Sequence, residues 1–191
     1  MRTSVWAHRG ASGYAPENTL PSFLIAIDMK ADGIELDVQK TKDGRLVVIH
    51  DEDLYRVSGK KGFVKNYTYD ELRELNVNKK FPQYGKVSIP TLEEVYRLVK
   101  DTELIINVEL KNGIVFYENL EEDIILLTKR MGLEDRIIYT SFNHYSLLKI
   151  KKIDPSIKIG FLYEDGYINM PKYAEKHGAS ALHPAFYNLQ Y

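Results

Sequence analysis

Short apolar runs alternate with amphipathic segments along this chain of 191 residues. The runs are rich in β-branched and aromatic residues and are bounded by turn-forming residues, which predicts β-strands. Segments whose apolar residues recur three and four positions apart predict helices. The predicted strands lie at about 5–9, 34–38, 46–49, 104–110, 136–140, 157–163 and 179–182, and the predicted helices at about 20–27, 91–100, 118–131, 145–153 and 170–177.

Local signals mark where several helices begin and end. Thr91 with Glu94, and Thr68 with Glu71, have the spacing of a capping box, in which the threonine side chain accepts a hydrogen bond from the backbone three residues on. Gly132 directly follows a predicted helix and suits a left-handed C-terminal cap.

The order of the elements predicts an α/β fold. Repeated strand–helix units imply a parallel sheet, and polar residues at the ends of several strands favour a (β/α)8 TIM barrel, whose sites lie at that face. A doubly wound sheet is the alternative, although its ligand usually lies at a single switch point. Residues 1–191 are then one barrel domain, in which seven strands are found and an eighth is missing, so that the domain is expected to be incomplete at its C-terminal end.

Residues 51–90, called the insertion below, do not follow this alternation. They come after the third predicted strand and are rich in aromatic residues. We interpret them as a small insertion over the barrel mouth that selects the substrate rather than performing chemistry.

Acidic residues lie inside two of the apolar strands. Side chains two positions apart on a strand share a face, so Glu35 and Asp37 point the same way, as do Glu109 and Lys111. Carboxylates suit a hard divalent cation such as Mg²⁺ or Ca²⁺, and burying them is costly unless they bind something. The alternative is that the first two face solvent on an edge strand.

Two histidines end predicted strands near these acids. Imidazole titrates near neutral pH, so His8 and His50 are candidates for a general acid and a general base. Arg9 and Lys111 are candidates to hold phosphate oxygens, unless they simply pair with nearby carboxylates such as Glu17.

Phe142 and Tyr163, which follow the fifth strand and end the sixth, could line a substrate pocket or simply pack.

Composition excludes several classes of function. The formal net charge is −1, so the chain lacks the excess positive charge that is typical of nucleic-acid-binding proteins. There is no cysteine, which excludes a thiol nucleophile and cysteine-ligated zinc. No apolar run approaches the roughly 20 residues of a membrane span. The chain starts directly with its first strand, without a secretory signal, so a cytoplasmic protein is expected.

Seven motifs, in order and over nearly the whole chain, resemble the glycerophosphodiester phosphodiesterase family. They are His8-Arg9-Gly10, Pro16-Glu17-Asn18-Thr19, Glu35-Leu36-Asp37-Val38, His50-Asp51, Pro90-Thr91-Leu92-Glu93-Glu94, Glu109-Leu110-Lys111 and Ser141-Phe142. The resemblance implies a TIM barrel with a small insertion. It also implies metal-dependent hydrolysis of small glycerophosphodiesters to glycerol 3-phosphate and an alcohol, a function of lipid and glycerol metabolism.

The resemblance also implies a role for each candidate residue. His8 and His50 would be the acid–base pair, Arg9 and Lys111 the phosphate contacts, and the metal ligands Glu35, Asp37 and Glu109. Three alternatives stay open: a lysophospholipase D activity, a phospholipase C-like reaction that forms a cyclic phosphate, and a non-catalytic phosphate-binding relative. Loss of either histidine would favour the last, and both are present.

Family members usually continue with another helix and an eighth strand that bears a Trp-Thr-Val-Asn-like motif. Without that strand, the segments Ser4–Ala7 and Ala179–Leu182 would be unpaired edges, which invite pairing with another chain. We therefore expect the 191-residue chain to be inactive, aggregation-prone or a homo-oligomer.

Overall fold

A computed structural model describes residues 2–190 and has an α/β fold. Each predicted strand and helix is present, with ends that differ by a few residues. The strands are β1 (Trp6–His8), β2 (Gly33–Lys40), β3 (Leu46–Val48), β4 (Ile105–Leu110), β5 (Ile137–Ser141), β6 (Ile159–Tyr163) and β7 (Ala181–Pro184). The helices are α1 (Leu20–Asp28), α2 (Tyr55–Ser58), α3 (Tyr69–Arg73), α4 (Leu92–Val99), α5 (Leu120–Met131), α6 (His144–Ile153) and α7 (Met170–Lys176).

The strands form one sheet in the order β1-β2-β4-β5-β6-β7, and neighbours along this order are parallel. The prediction that the third strand belongs to the parallel series is wrong, because β3 pairs with β2 in the antiparallel direction. The connection between them, 41–45, is a tight turn, whereas a parallel crossover needs a dozen or more residues. Among the residues described, β1 and β7 are the edges of the parallel series.

One face of the sheet carries the main hydrophobic core. Ile34, Leu36 and Val38 on β2 are fully buried and belong to a cluster that also includes apolar residues of α1, α4, α5 and α6. Because side chains alternate along a strand, the intervening residues of β2 and β4 face the other side of the sheet. This face, called the inner face below, is where the polar residues lie.

The predicted helix signals are confirmed. The Thr91 hydroxyl accepts a hydrogen bond from the Glu94 amide at 3.1 Å, and Thr68 caps α3 in the same way. Gly132 ends α5 with φ of 68°, in the left-handed region. None of the helices in the described part of the chain is both long enough and apolar enough to cross a membrane.

The insertion has a small core of its own. Its buried side chains form a second cluster, separate from the main core, with two residues from β3 and the segment that follows it. The members are Val47, Ile49, Leu54, Val64, Leu72, Val77, Val87 and Ile89. The Tyr84 hydroxyl donates a hydrogen bond to the Tyr14 carbonyl at 3.0 Å, which attaches the insertion to the loop after β1.

Candidate active site

Strand register brings the predicted site residues together on the inner face. His8 on β1 lies opposite Glu35 on β2, and Asp37 lies opposite Glu109 on β4. The ligand atoms of the three acids all lie within 4.8 Å of one another. Sequence parity predicted the face on which they lie, opposite the apolar residues of the same strands.

Backbone and amide groups hold two of the acids. Asp37 is fully buried, and its Oδ2 accepts a hydrogen bond from Asn18 Nδ2 at 2.7 Å. Glu35 Oε2 accepts one from the Arg9 amide at 2.9 Å. Both Arg9 and Asn18 have a positive φ, 58° and 57°, a conformation that costs free energy for residues other than glycine. The loop between β1 and α1 therefore has a strained backbone where it contacts the acids.

The negative charge of the three carboxylates exceeds the positive charge of the groups beside them. Burial, and then the charges of Asp37 and Glu109, raise the pKa of Glu35 well above its usual value. Burial, and then the charge of Asp37, raise the pKa of Glu109 to about 7, although Lys111 Nζ lies 2.9 Å from its Oε1. The Asp37 Oδ1 atom is buried and has no hydrogen-bond partner among residues 2–190.

The two histidines have different surroundings. His8 Nε2 lies 3.8 Å from Glu35 Oε2, and partial burial followed by the charge of Arg9 lowers the pKa of His8. His50 Nδ1 lies 2.7 Å from Asp51 Oδ1. When Nδ1 carries the ring proton and donates a hydrogen bond to this carboxylate, the lone pair of Nε2 is free to accept a proton.

A chain of ion pairs joins the segments that carry the two histidines. Arg56, from α2 of the insertion, donates to both oxygens of Asp51 and to both oxygens of Glu17. Glu17 also accepts a hydrogen bond from Arg9 at 3.0 Å, so the chain runs from the residue after His8 to the partner of His50. Burial opposes ionisation of Glu17, but the hydrogen bonds and charge of Arg56, together with Arg9, lower its pKa to about 2.

Known proteins resemble this chain over nearly its whole length. Residues 8–190 match the Glycerophosphoryl diester phosphodiesterase family. The chain is 46% identical over 190 residues to a glycerophosphodiester phosphodiesterase of Caldanaerobacter subterraneus subsp. tengcongensis, covering 99% of this chain and 78% of that protein. A Bacillus altitudinis glycerophosphodiester phosphodiesterase is 44% identical over 184 residues, covering 95% and 75% of the two chains.

The chain belongs to this phosphodiesterase family.

A solved structure that resembles this chain is that of an Oleispira antarctica phosphodiesterase in complex with the product sn-glycerol-3-phosphate. It aligns with a TM-score of 0.82 and 30% identity, covering 95% of this chain and 74% of that one. The family resemblance predicted from the seven motifs is thereby confirmed.

The sequence did not indicate two residues, Gln39 and Arg56, that hold the site of this family member in shape. Gln39, which follows Asp37 on the inner face, donates its amide to the carbonyls of Ile49, His50 and Asp51 at 3.1, 3.0 and 2.8 Å. Its position two residues after Asp37 on the same strand could have indicated that it lies on the same face. For Arg56 no sequence signal existed, because its contacts with Asp51 and Glu17 depend on how the insertion folds back.

Two predicted residues lie elsewhere. Phe142 and Tyr163 line a cavity of about 770 Å³ together with residues of α6 and α7, such as His144 and Tyr173. Tyr163 has the strand parity of Phe161, which is in the main core, and not that of the inner face. A substrate role for Phe142 and Tyr163 stays a prediction.

Proposed function

We propose that this family member hydrolyses glycerophosphodiesters to glycerol 3-phosphate and an alcohol, and that the reaction depends on a divalent cation. The observation that carries the proposal is the cluster of three buried carboxylates, with a histidine 3.8 Å from one of them and a second histidine joined to the same network. The product bound to the Oleispira antarctica relative supports the same substrate class.

The proposed ligands of the cation are Glu35, Asp37 and Glu109. An all-oxygen donor set suits Mg²⁺ or Ca²⁺, and the unpartnered Asp37 Oδ1 and the raised pKa values of Glu35 and Glu109 fit a site that lacks positive charge. A cation bound there would polarise a phosphoryl oxygen and stabilise the charge that develops on it.

The proposed acid–base pair is His8 and His50. One protonates the alkoxide that leaves, and the other takes the proton from the attacking oxygen, while Asp51 fixes the ring of His50. Arg9 and Lys111, which lie at the acid cluster, are proposed to orient the phosphate oxygens. The new bond joins the attacking oxygen to phosphorus as the bond from phosphorus to the alcohol oxygen breaks.

In the proposed architecture the parallel strands are part of a (β/α)8 barrel, and residues 51–90 are an insertion at its mouth. That position would let the insertion contact the alcohol of the substrate.

The test is an assay of the purified protein with glycerophosphocholine, glycerophosphoethanolamine, glycerophosphoglycerol and a lysophospholipid. We expect glycerol 3-phosphate as product from the first three, loss of activity with a chelator, and recovery with Mg²⁺ or Ca²⁺. His8→Ala and His50→Ala should each lower kcat by roughly 10²–10⁴-fold, the scale of general acid–base catalysis.

Arg97→Gln serves as the control, because Arg97 lies on the exposed surface of α4 and pairs with Glu93. Full activity of the chelated protein would contradict the metal proposal. Turnover of the lysophospholipid alone would favour the lysophospholipase D alternative, and a cyclic phosphate product would favour the phospholipase C-like reaction.

A further inference from the structure

A second, smaller cavity lies beside His8. It has a volume of about 160 Å³ and is bounded on one side by the loop after β1, which contributes Ser12 and Pro16. Its other side is formed by the insertion, which contributes Lys79, Lys80 and other residues. The cavity therefore lies between one proposed catalytic histidine and the part of the chain that the sequence predicted to select substrates.

The charges around this cavity are unevenly compensated. The two arginines that line it, Arg9 and Arg56, both pair with Glu17, which is the one acidic residue of the lining. Within residues 2–190, neither Lys79 nor Lys80 has a carboxylate oxygen within 4.0 Å of its ammonium group. The cavity thus presents two positive charges that the protein does not neutralise.

The fold fixes where these lysines lie. The Phe81 amide donates to the Asn78 carbonyl at 2.6 Å, which closes a turn around Lys79 and Lys80. Phe81 packs edge-to-face against Tyr84, with ring centroids 6.3 Å apart, and Tyr84 in turn bonds to the loop after β1. Lys79 Nζ lies 5.2 Å from the centre of the Tyr55 ring, a cation–π distance. The segment that carries Lys79 and Lys80 is therefore held in the lining of the cavity by packing as well as by chain connectivity.

We propose that this cavity binds the alcohol part of the substrate and selects alcohols that carry a second anionic group, a phosphate monoester or diester. The inference rests on the proposed function, because His8 is placed there next to the reacting phosphodiester. Two uncompensated ammonium groups attract a second phosphate and disfavour a cationic alcohol such as choline. Hydrolysis then consumes one water and releases glycerol 3-phosphate and an anionic alcohol.

The experiment compares kcat/KM for three substrates that share the glycerol 3-phosphate part and differ in the alcohol. They are glycerophosphocholine, glycerophosphoglycerol and bis(glycerophospho)glycerol. The wild-type protein should prefer the last, and added salt should weaken the preference because exposed charges are screened. The double variant K79Q/K80Q should lower the ratio of kcat/KM for bis(glycerophospho)glycerol to that for glycerophosphocholine by roughly tenfold, as expected for exposed charge pairs. The variant K79E/K80E should lower it further.

The matched control is K60Q/K61Q, which removes the same charge from two lysines of the insertion that do not line the cavity. It should leave the ratio as in the wild type. An equal loss on all three substrates in K79Q/K80Q would contradict the inference, because it would mean general attraction of anions rather than selection.

A binding measurement separates this inference from the proposed function. Calorimetry with glycerol 1,3-bisphosphate and glycerol 3-phosphate requires no turnover. We expect the bisphosphate to bind roughly tenfold more tightly, and K79Q/K80Q to remove that difference. Absence of hydrolysis with this binding pattern would overturn the proposed function alone, whereas hydrolysis with no preference in either measurement would overturn the inference alone.

Discussion

Arg56, which the sequence did not single out, links two carboxylates of the site. Its guanidinium joins Asp51, the partner of His50, to Glu17, the partner of Arg9. We predict that Arg56→Gln lowers kcat by about tenfold with little change in KM, because Asp51, the carboxylate that contacts the His50 ring, loses the guanidinium that holds it. Mutation of a residue that supports a functional side chain in this way typically lowers activity 10- to 100-fold.

Arg56→Lys keeps the charge but not the planar fork, so it should recover only part of the lost kcat. Steady-state kinetics of both variants, together with the ¹⁵N shifts of the His50 ring, would check the prediction. A variant that loses kcat while His50 keeps a single Nδ1–H tautomer would show that Arg56 acts in some other way.

Residue positions were predictable where they depend on strand parity. Alternation placed Glu35 and Asp37 on one face of their strand, because a strand offers only two faces. The predicted parallel sheet then brought Glu109 of another strand to the same group, as the structure confirms. The left-handed backbone of Arg9 and Asn18 was not predictable, since it comes from the fit of a loop against the acids. The same is true of the partners of Arg56.

At the scale of elements, the insertion has its own hydrophobic cluster, which supports the segment that holds His50. Leu72 of α3 is fully buried in that cluster. We predict that Leu72→Ala destabilises the protein by about 2–4 kcal/mol and opens residues 51–90 before the parallel sheet and its helices unfold. Hydrogen exchange and limited proteolysis should then show early loss of protection in the insertion.

The matched control is Leu147→Ala, because Leu147 of α6 is equally buried but belongs to the main core. It should lower global stability without selective exposure of the insertion. Simultaneous loss of protection in the insertion and in β4 of the Leu72→Ala variant would mean that the two clusters unfold as one unit.

Elements were predictable from local chemistry, with one instructive error. The capping boxes and Gly132 fixed helix ends because they involve groups only a few residues apart. Strand β3 was found but given the wrong direction. The short turn before it already favoured a hairpin, and the rule that strands alternate with helices was applied where no helix intervenes.

At the scale of the whole molecule, the acid cluster makes stability depend on pH. The pKa of Glu109 rises from an ordinary 4.5 to about 7 in the folded chain, so the folded state holds its proton more tightly. Stability from this group is fully present below pH 4.5 and is lost as the pH rises through about 7. A bound divalent cation would reverse that loss, because it favours the ionised carboxylates.

We predict that the chelated protein loses stability between pH 5 and pH 8 by roughly 1–3 kcal/mol through this group. Glu109→Gln should flatten that dependence. Thermal unfolding across this pH range, with chelator and with Mg²⁺ or Ca²⁺, would measure both effects. A chelated wild type and a Glu109→Gln variant with parallel pH profiles would contradict the assignment.

The pairing of Asp37 with Glu109 across β2 and β4 has a consequence for sample quality. If β4 paired one residue out of step, Glu109 and Lys111 would turn toward the helices, and Ile106 and Val108 would turn toward the inner face. Such a molecule could retain nearly normal helix and strand content by circular dichroism and yet lack a complete acid cluster. Turnover per milligram would then report the fraction of molecules whose strands are correctly aligned, a quantity that ordinary measures of folding do not give.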